Sequence, residues 1–154
     1  MEIRSARTDE IDAIRELLAQ CGLPVEDVSG SAPIQFLVAV VDSDSTIVGC
    51  VGLEAYGTVG LLRSLAVAAD ARQRRIGVAL VAEAESVARR AGIEGLYLLT
   101  TTASRFFQAN GYEVAGREVV PRAVKQTTQF STLCPATAVC MKKPIANTSA
   151  LRHA

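Results

Sequence analysis

Tryptophan is absent from this 154-residue chain, histidine occurs once, and aromatic residues make up only 5% of it. The lone His153 sits one residue from the C-terminus, so a histidine-rich metal centre has no ligands to draw on and His153 is a poor general base. The four cysteines, Cys21, Cys50, Cys134 and Cys140, lie far apart and show neither C-x-x-C nor Cys/His spacing. Buried free thiols, not a metal site, are expected. Charge of one sign is missing too, because 16 Lys and Arg balance 16 Asp and Glu. That balance argues against a nucleic-acid binder working by bulk electrostatics. No apolar run follows Met1, since Glu2, Arg4 and Arg7 intervene, and no stretch reaches membrane-spanning length. A cytoplasmic protein without a membrane partner is expected.

What is present suits one compact domain, with 49% hydrophobic and 21% charged residues. A domain over residues 1–145 and a flexible tail over 146–154 are predicted, with no internal repeat or linker. Residues 1–6 read as a strand, and Thr8 as the cap of a helix whose inner face is Ile11, Ile14, Leu17, Leu18 and Cys21. Gly22 stops that helix, and residues 24–33 form an irregular, polar, substrate-side loop in which Glu26, Asp27 and Ser29 face water. Strands at 36–41, 46–56 and 58–67, joined by a turn at Asp42–Ser45 and by Gly57, make an antiparallel meander. Residues 76–91 are the clearest helix, with Glu83, Glu85, Arg89 and Arg90 on its outer face, and residues 95–100 (GLYLLT) form a buried strand. A strand–helix–strand crossover of this length requires parallel pairing of 58–67 with 95–100. A short helix at 103–110, a strand at 112–115, a helical segment from Pro121 towards Phe130 and a last strand at 136–141 complete an α/β fold with a mixed sheet.

The stretch LLRSLAVAADARQRRIGVAL, residues 61–80, runs from an apolar strand through an arginine-rich loop directly into a helix. Such a junction presents amide groups that have no partner within the helix, and arginines add forked donors suited to phosphate oxygens. Arg72, Arg74 and Arg75 fall within four positions, while Gly77 and Ala79 keep the first turn open to a bulky diphosphate. The spacing is neither G-x-G-x-x-G nor G-x-x-x-x-G-K-[ST], so neither a dinucleotide fold nor a P-loop fits.

This segment resembles the acetyl-CoA-binding segment of the Gcn5-related N-acetyltransferase (GNAT) superfamily, where a Leu-Ala-Val-like strand end precedes [Q/R]-x-x-G-x-[G/A]. Counting five residues on from Val67 places Arg72 at the leading position, Arg75 where the first glycine normally stands and Gly77 at the last small one. A register two residues later, with Arg74, Gly77 and Ala79, satisfies the pattern fully but lengthens the strand-to-loop spacing. The stretch TASRFFQANGY, residues 102–112, is similar to the family's later short helix ending in Gly-aromatic. The resemblance implies a single-domain GNAT-like fold, a central mixed and mostly antiparallel sheet with a splayed parallel strand pair, flanked by helices. It also implies that acetyl-CoA binds to Leu65, Ala66 and Val67 and to a loop of Arg72, Gln73, Arg74, Arg75, Ile76, Gly77 and Val78. Ser104, Phe107 and Asn110 are the expected cofactor contacts of the short helix, and no metal is implied.

GLLRSLAV, LTTTASRFFQANGY and FSTLCPATAVCM further resemble the small N-acetyltransferases associated with arsenic resistance, similar to phosphinothricin acetyltransferases. That likeness implies a small anionic amino-acid acceptor such as arsinothricin or phosphinothricin. Peptide acetylation and a non-catalytic acetyl-CoA-binding module are the other readings, and a homodimer is compatible with all three. Arg63 stands where many relatives place a glutamate base, and Phe107 where many place a tyrosine acid. Arg63 therefore either grips the acceptor's acidic group or pairs with Glu54 across the hairpin at Gly57. Glu54 is either the base or that counter-ion, and Tyr56, Tyr97 and Ser64 either line the acceptor pocket or serve packing.

Overall fold

The computed structural model describes residues 1–29, 33–41, 46–72, 74–133 and 137–146. The expected turn at Asp42–Ser45, Gln73, Cys134 and the tail from Asn147 with His153 lie outside the described residues. The elements in chain order are β1 (Glu2–Ser5), α1 (Ile11–Gln20), β2 (Gln35–Val41), β3 (Thr46–Tyr56), β4 (Val59–Val67), α2 (Ile76–Arg90), β5 (Gly95–Thr100), α3 (Ser104–Ala109), β6 (Glu113–Val114), α4 (Arg122–Lys125) and β7 (Val139–Pro144). They divide into two compact units, Met1–Glu54 with Leu62–Ala84, and Ala55–Leu61 with Glu85–Ala154. Among the described residues no helix is long and apolar enough to cross a membrane.

In the first unit the hydrogen-bonded strand order is β1-β2-β3-β4. β1 and β2 are antiparallel with Ile3 opposite Ala39, and β2 and β3 are antiparallel with Phe36 opposite Gly52. Ile14, Leu17 and Leu18 of α1 pack with Val28, Phe36, Val38, Val40, Cys50 and Ala66 into one core cluster. Gly49 is where α2 meets β3 most closely. A Cβ there would come within 2.9 Å of Leu80 Cδ1, 3.2 Å of Ile76 Cγ2 and 3.3 Å of the Ala66 carbonyl oxygen. Only a residue without a side chain lets the helix seat at this depth.

The start of α1 corrects one expectation. Thr8 is not the cap but the first residue of a 3₁₀ turn, Thr8–Glu10, that leads into the helix. The free amide at this end belongs to Arg7, and Glu10 accepts from it at 2.8 Å while receiving both Nη atoms of Arg4 at 2.8 Å.

In the second unit the order is β4-β5-β7-β6. β4 and β5 are parallel, but their pairs run only from Val59 opposite Gly95 to Leu61 opposite Tyr97. β5 continues to Thr100 against β7 alone. The parallel pairing is the one that the strand–helix–strand crossover led us to expect. Leu61, Ala115, Val120, Val124, Phe130 and Cys140 form the cluster here, with Tyr56, Val59, Tyr97 and Leu99 packed against it. Gly92 ends α2 in left-handed backbone (φ +85°), with Ile93 N–H donating to Ala88 and Gly92 N–H to Arg89. α1 and α3 close the same way at Gly22 and Gly111.

Two further expectations shift for one reason. β7 begins later than the sequence indicates and runs through Lys142 and Lys143. Lys143 Nζ is answered by Glu85 at 3.0 Å and by the Asn110 carbonyl at 2.9 Å. Glu85 is consequently not on a solvent face of α2: it is buried, and it also accepts from the Tyr112 hydroxyl at 2.9 Å. Burial beside that carboxylate pushes the Tyr112 hydroxyl's pKa up, so it remains a donor.

The Arg4 hydrogen bond holds the Glu10 carboxyl down at about 2, against an ordinary 4.5. A carboxyl lowered on folding stabilises the protein above its unfolded pKa, and that stability is lost as pH falls through the folded value. The wild-type melting temperature should fall between pH 4.5 and about 2 more steeply than that of Glu10→Gln, which lacks this term. Thermal melts across that window decide it.

Candidate acetyl-CoA loop and the Arg63 cluster

β4 carries the candidate residues, and its backbone is interrupted inside the strand. Ser64 adopts φ +57°, left-handed backbone that β-strands and L-residues both avoid. Two hydrogen bonds hold it there. Arg63 Nε donates to Ser64 Oγ at 3.0 Å, and Cys50 Sγ donates to the Ser64 carbonyl at 3.4 Å. Burial pushes the Cys50 thiol up to about 12, which keeps the proton on sulfur and the donor in place. Ser64 is thus held by the sheet, and nothing shows it facing an acceptor.

Beyond Ser64, Leu65, Ala66 and Val67 finish the strand, with Ala66 buried and the other two half-buried. Ala68 N–H donates to Val48 at 2.8 Å and fixes the exit from the sheet. A 3₁₀ turn over Ala69–Ala71 follows, and α2 begins at Ile76. Ile76 is buried and anchors the helix start, while Gly77 and Val78 are half-buried. The first i→i−4 bond in this turn is Ala79 N–H to Arg75 at 3.1 Å. The amides of Ile76, Gly77 and Val78 precede it, so no acceptor within the helix is available to them.

The three described loop arginines differ. Arg72 Nε donates to the Val67 carbonyl at 3.0 Å, and its Nη2 reaches Cys21 Sγ at 3.5 Å, so it staples the loop to the strand it leaves. Arg74 and Arg75 are exposed, and neither side chain has a hydrogen bond or ion pair to another described residue. Arg75 has φ +58°. The position where the resemblance calls for glycine therefore keeps glycine's backbone conformation while carrying an arginine side chain. Gly77, shared by both registers, lies inside α2.

The acceptor-side candidates meet in a buried cluster. Arg63 has 0% side-chain exposure and donates through Nη1 to Glu54 Oε2 at 2.9 Å. Asp27 takes the guanidinium's other edge, receiving Nη2 on Oδ1 at 2.6 Å and Nη1 on Oδ2. Burial pulls the Arg63 pKa down, but the bonds to Asp27 and Glu54 outweigh it and the net direction is up. The cross-strand pair of Glu54 and Arg63 is present. Asp27, expected to face water, instead completes it, because the Val25–Val28 turn is drawn inward. Val28 is fully buried, and Arg15 Nη1 donates to the carbonyls of Val25 and Val28. Gly52 leaves room for the Arg63 stem, whose Cγ would lie 3.2 Å from a Cβ at that position.

The remaining candidates belong to the second unit. Tyr56 and Tyr97 pack against its core cluster. Ser104 opens α3 and is half-buried. Phe107 is buried edge-on between Phe106 and Tyr112, with ring centroids 5.1 and 5.5 Å away. Asn110 turns its side-chain amide back to Phe106 O at 2.8 Å. Among the described residues no three His, Cys, Asp or Glu side chains converge as metal ligands, and Cys21, Cys50 and Cys140 are free.

The chain belongs to the acetyltransferase (GNAT) domain family, which it matches over residues 33–114. An N-acetyltransferase of Chlorobaculum tepidum is 34% identical over 103 residues, covering 66% of this chain and 63% of that protein. The amino-acid acetyltransferase of Mannheimia succiniciproducens is 29% identical over 127 residues, or 79% of this chain, but this chain spans only 29% of that enzyme's length. Among solved structures, N-acetylglutamate synthase from Neisseria gonorrhoeae complexed with coenzyme A and N-acetyl-glutamate superposes with a TM-score of 0.76 at 20% identity, over 95% of this chain and 35% of that one.

Two substitutions test the local physics. Arg75→Gly should raise stability by about 0.5–1 kcal/mol, as relief of left-handed strain outweighs glycine's greater unfolded freedom. Arg63→Ala should lower it by about 3–5 kcal/mol, because it strands the buried Glu54 carboxylate and the half-buried Asp27. Urea unfolding of both variants reads the two signs.

Proposed function

We propose that this protein is an acetyl-CoA-dependent N-acetyltransferase whose acceptor is the amino group of a small anionic amino acid or analogue, arsinothricin and phosphinothricin among them. The observation that carries the reading is the loop after Val67. Exposed Arg74 and Arg75, whose side chains have no partner among the described residues, stand beside helix-start amides that precede the helix's own hydrogen bonds. A diphosphate answers both kinds of donor at once. The names of the relatives support the acceptor class, since amino-acid acetyltransferases recur among them and the neisserial enzyme was captured with N-acetyl-glutamate.

In the reaction the acceptor's ammonium first loses a proton, and the neutral amine then attacks the thioester carbonyl. The C–S bond breaks with coenzyme A leaving as thiolate, and the second proton lost by the nitrogen passes to solvent or to that thiolate. The backbone of Leu65–Val67 is assigned to the pantetheine arm and thioester, and Arg72, Arg74, Arg75 and the amides of Ile76, Gly77 and Val78 to the diphosphate. Glu54 is assigned to the Arg63 cluster first. Its Oε2 already receives a guanidinium proton, so a part in moving the acceptor's proton comes second.

One observation favours a second reading, a non-catalytic acetyl-CoA-binding module. Arg63, in the usual place of a base, is wholly buried and held by two carboxylates.

The two readings separate in one assay. Acetyl-CoA should raise the melting temperature in either case. Coenzyme A should then be released when glutamate, phosphinothricin or arsinothricin is added, if the protein is the proposed enzyme. Stabilisation with no release across a wide amine panel would leave only the binding module.

A further inference from the structure

We propose that Asp27 is a positioning residue for the acetyl-CoA-binding strand: with Glu54 it fixes Arg63, and Arg63 fixes the left-handed backbone of Ser64 that sets the course of Leu65, Ala66 and Val67. The inference rests on the function proposed above, because it concerns the same strand, and it names a residue outside every sequence motif.

Each link is a contact within the fold. The turn carrying Asp27 is itself rigid, with Val28 wholly buried in the first unit's core and Arg15 bonded to the carbonyls on either side of it. Its carboxylate takes two donors of Arg63, while Glu54 takes the remaining proton direction of Nη1. With both ends of the guanidinium held, the Nε proton has one direction left, and it points at Ser64 Oγ at 3.0 Å. Ser64 sits at φ +57°, a conformation that a residue with a Cβ does not keep unaided inside a strand.

The consequence for the strand follows from its period of two. A left-handed residue inside a strand breaks that alternation and re-aims the backbone beyond it. Relaxing Ser64 to extended backbone would restore the alternation and rotate the backbone groups of Leu65, Ala66 and Val67. The backbone groups assigned to the thioester would then point the wrong way. Asp27 thus acts on the cosubstrate through two intermediaries and need not touch it.

This mechanism predicts a specific rescue. Glycine adopts left-handed backbone without help, so Ser64→Gly makes that conformation independent of Arg63. Acetyl-CoA titration calorimetry on the full chain should show Asp27→Ala binding weaker by on the order of tenfold, with the double variant Asp27→Ala/Ser64→Gly recovering most of the loss. Should the alanine variant not fold, Asp27→Asn and Asp27→Asn/Ser64→Gly carry the same comparison. A single variant that binds like wild type, or a double variant no tighter than the single, overturns the proposal. Wild type that fails to bind acetyl-CoA removes the proposed function, and this inference with it.

Discussion

A guanidinium with no water around it must be met by anions, and that demand at Arg63 organises the first unit. Two carboxylates from segments far apart in sequence converge on it, one from β3 and one from the turn after α1. Removing such a charge from solvent is costly, and the cost is offset only when nearly every donor is used. Here four hydrogen bonds from Arg63 reach Asp27, Glu54 and Ser64. The cluster therefore gives geometric definition more than raw stability. It fixes where the polar turn lies and ties Arg63 to the left-handed Ser64 of β4.

The loop that follows is built on the opposite logic. Where the Arg63 cluster satisfies every charge internally, Arg74 and Arg75 are held in the open, and Arg75 occupies a backbone conformation that glycine would fill more cheaply. Keeping an arginine at such a position makes sense when the side chain has work that a hydrogen atom cannot do. Arg72 belongs to neither group, since it closes the loop onto Val67 and Cys21. Three neighbouring residues of one type thus divide into a staple and two outward charges.

Periodicity and capping signals carried most of the fold. Strands β3 and β5 and the start of α2 lie where alternation, the continuous apolar run and the arginine-to-apolar transition indicate. What escaped was set by contacts between distant segments. Glu85 looks like a solvated helix residue until Tyr112 and Lys143 arrive to bury it. Asp27 lies in a stretch without period, so nothing local announces its partner. Of the candidate site, Glu54 and Arg63 were legible as a cross-strand pair because strand alternation and the turn at Gly57 bring them together. The left-handed backbone of Ser64 was not, since serine gives no hint of it as glycine or asparagine would.

The seat of α2 on Gly49 ties the future of three positions together. Leu80, Ile76 and the Ala66 carbonyl already crowd the space where a Cβ would stand. Any lineage that acquires a side chain at 49 must therefore shrink residue 80 or tolerate a lifted helix, and a lifted helix carries the amides of Ile76, Gly77 and Val78 with it. Drift at these sites should be concerted across descendants of this chain, the glycine changing last.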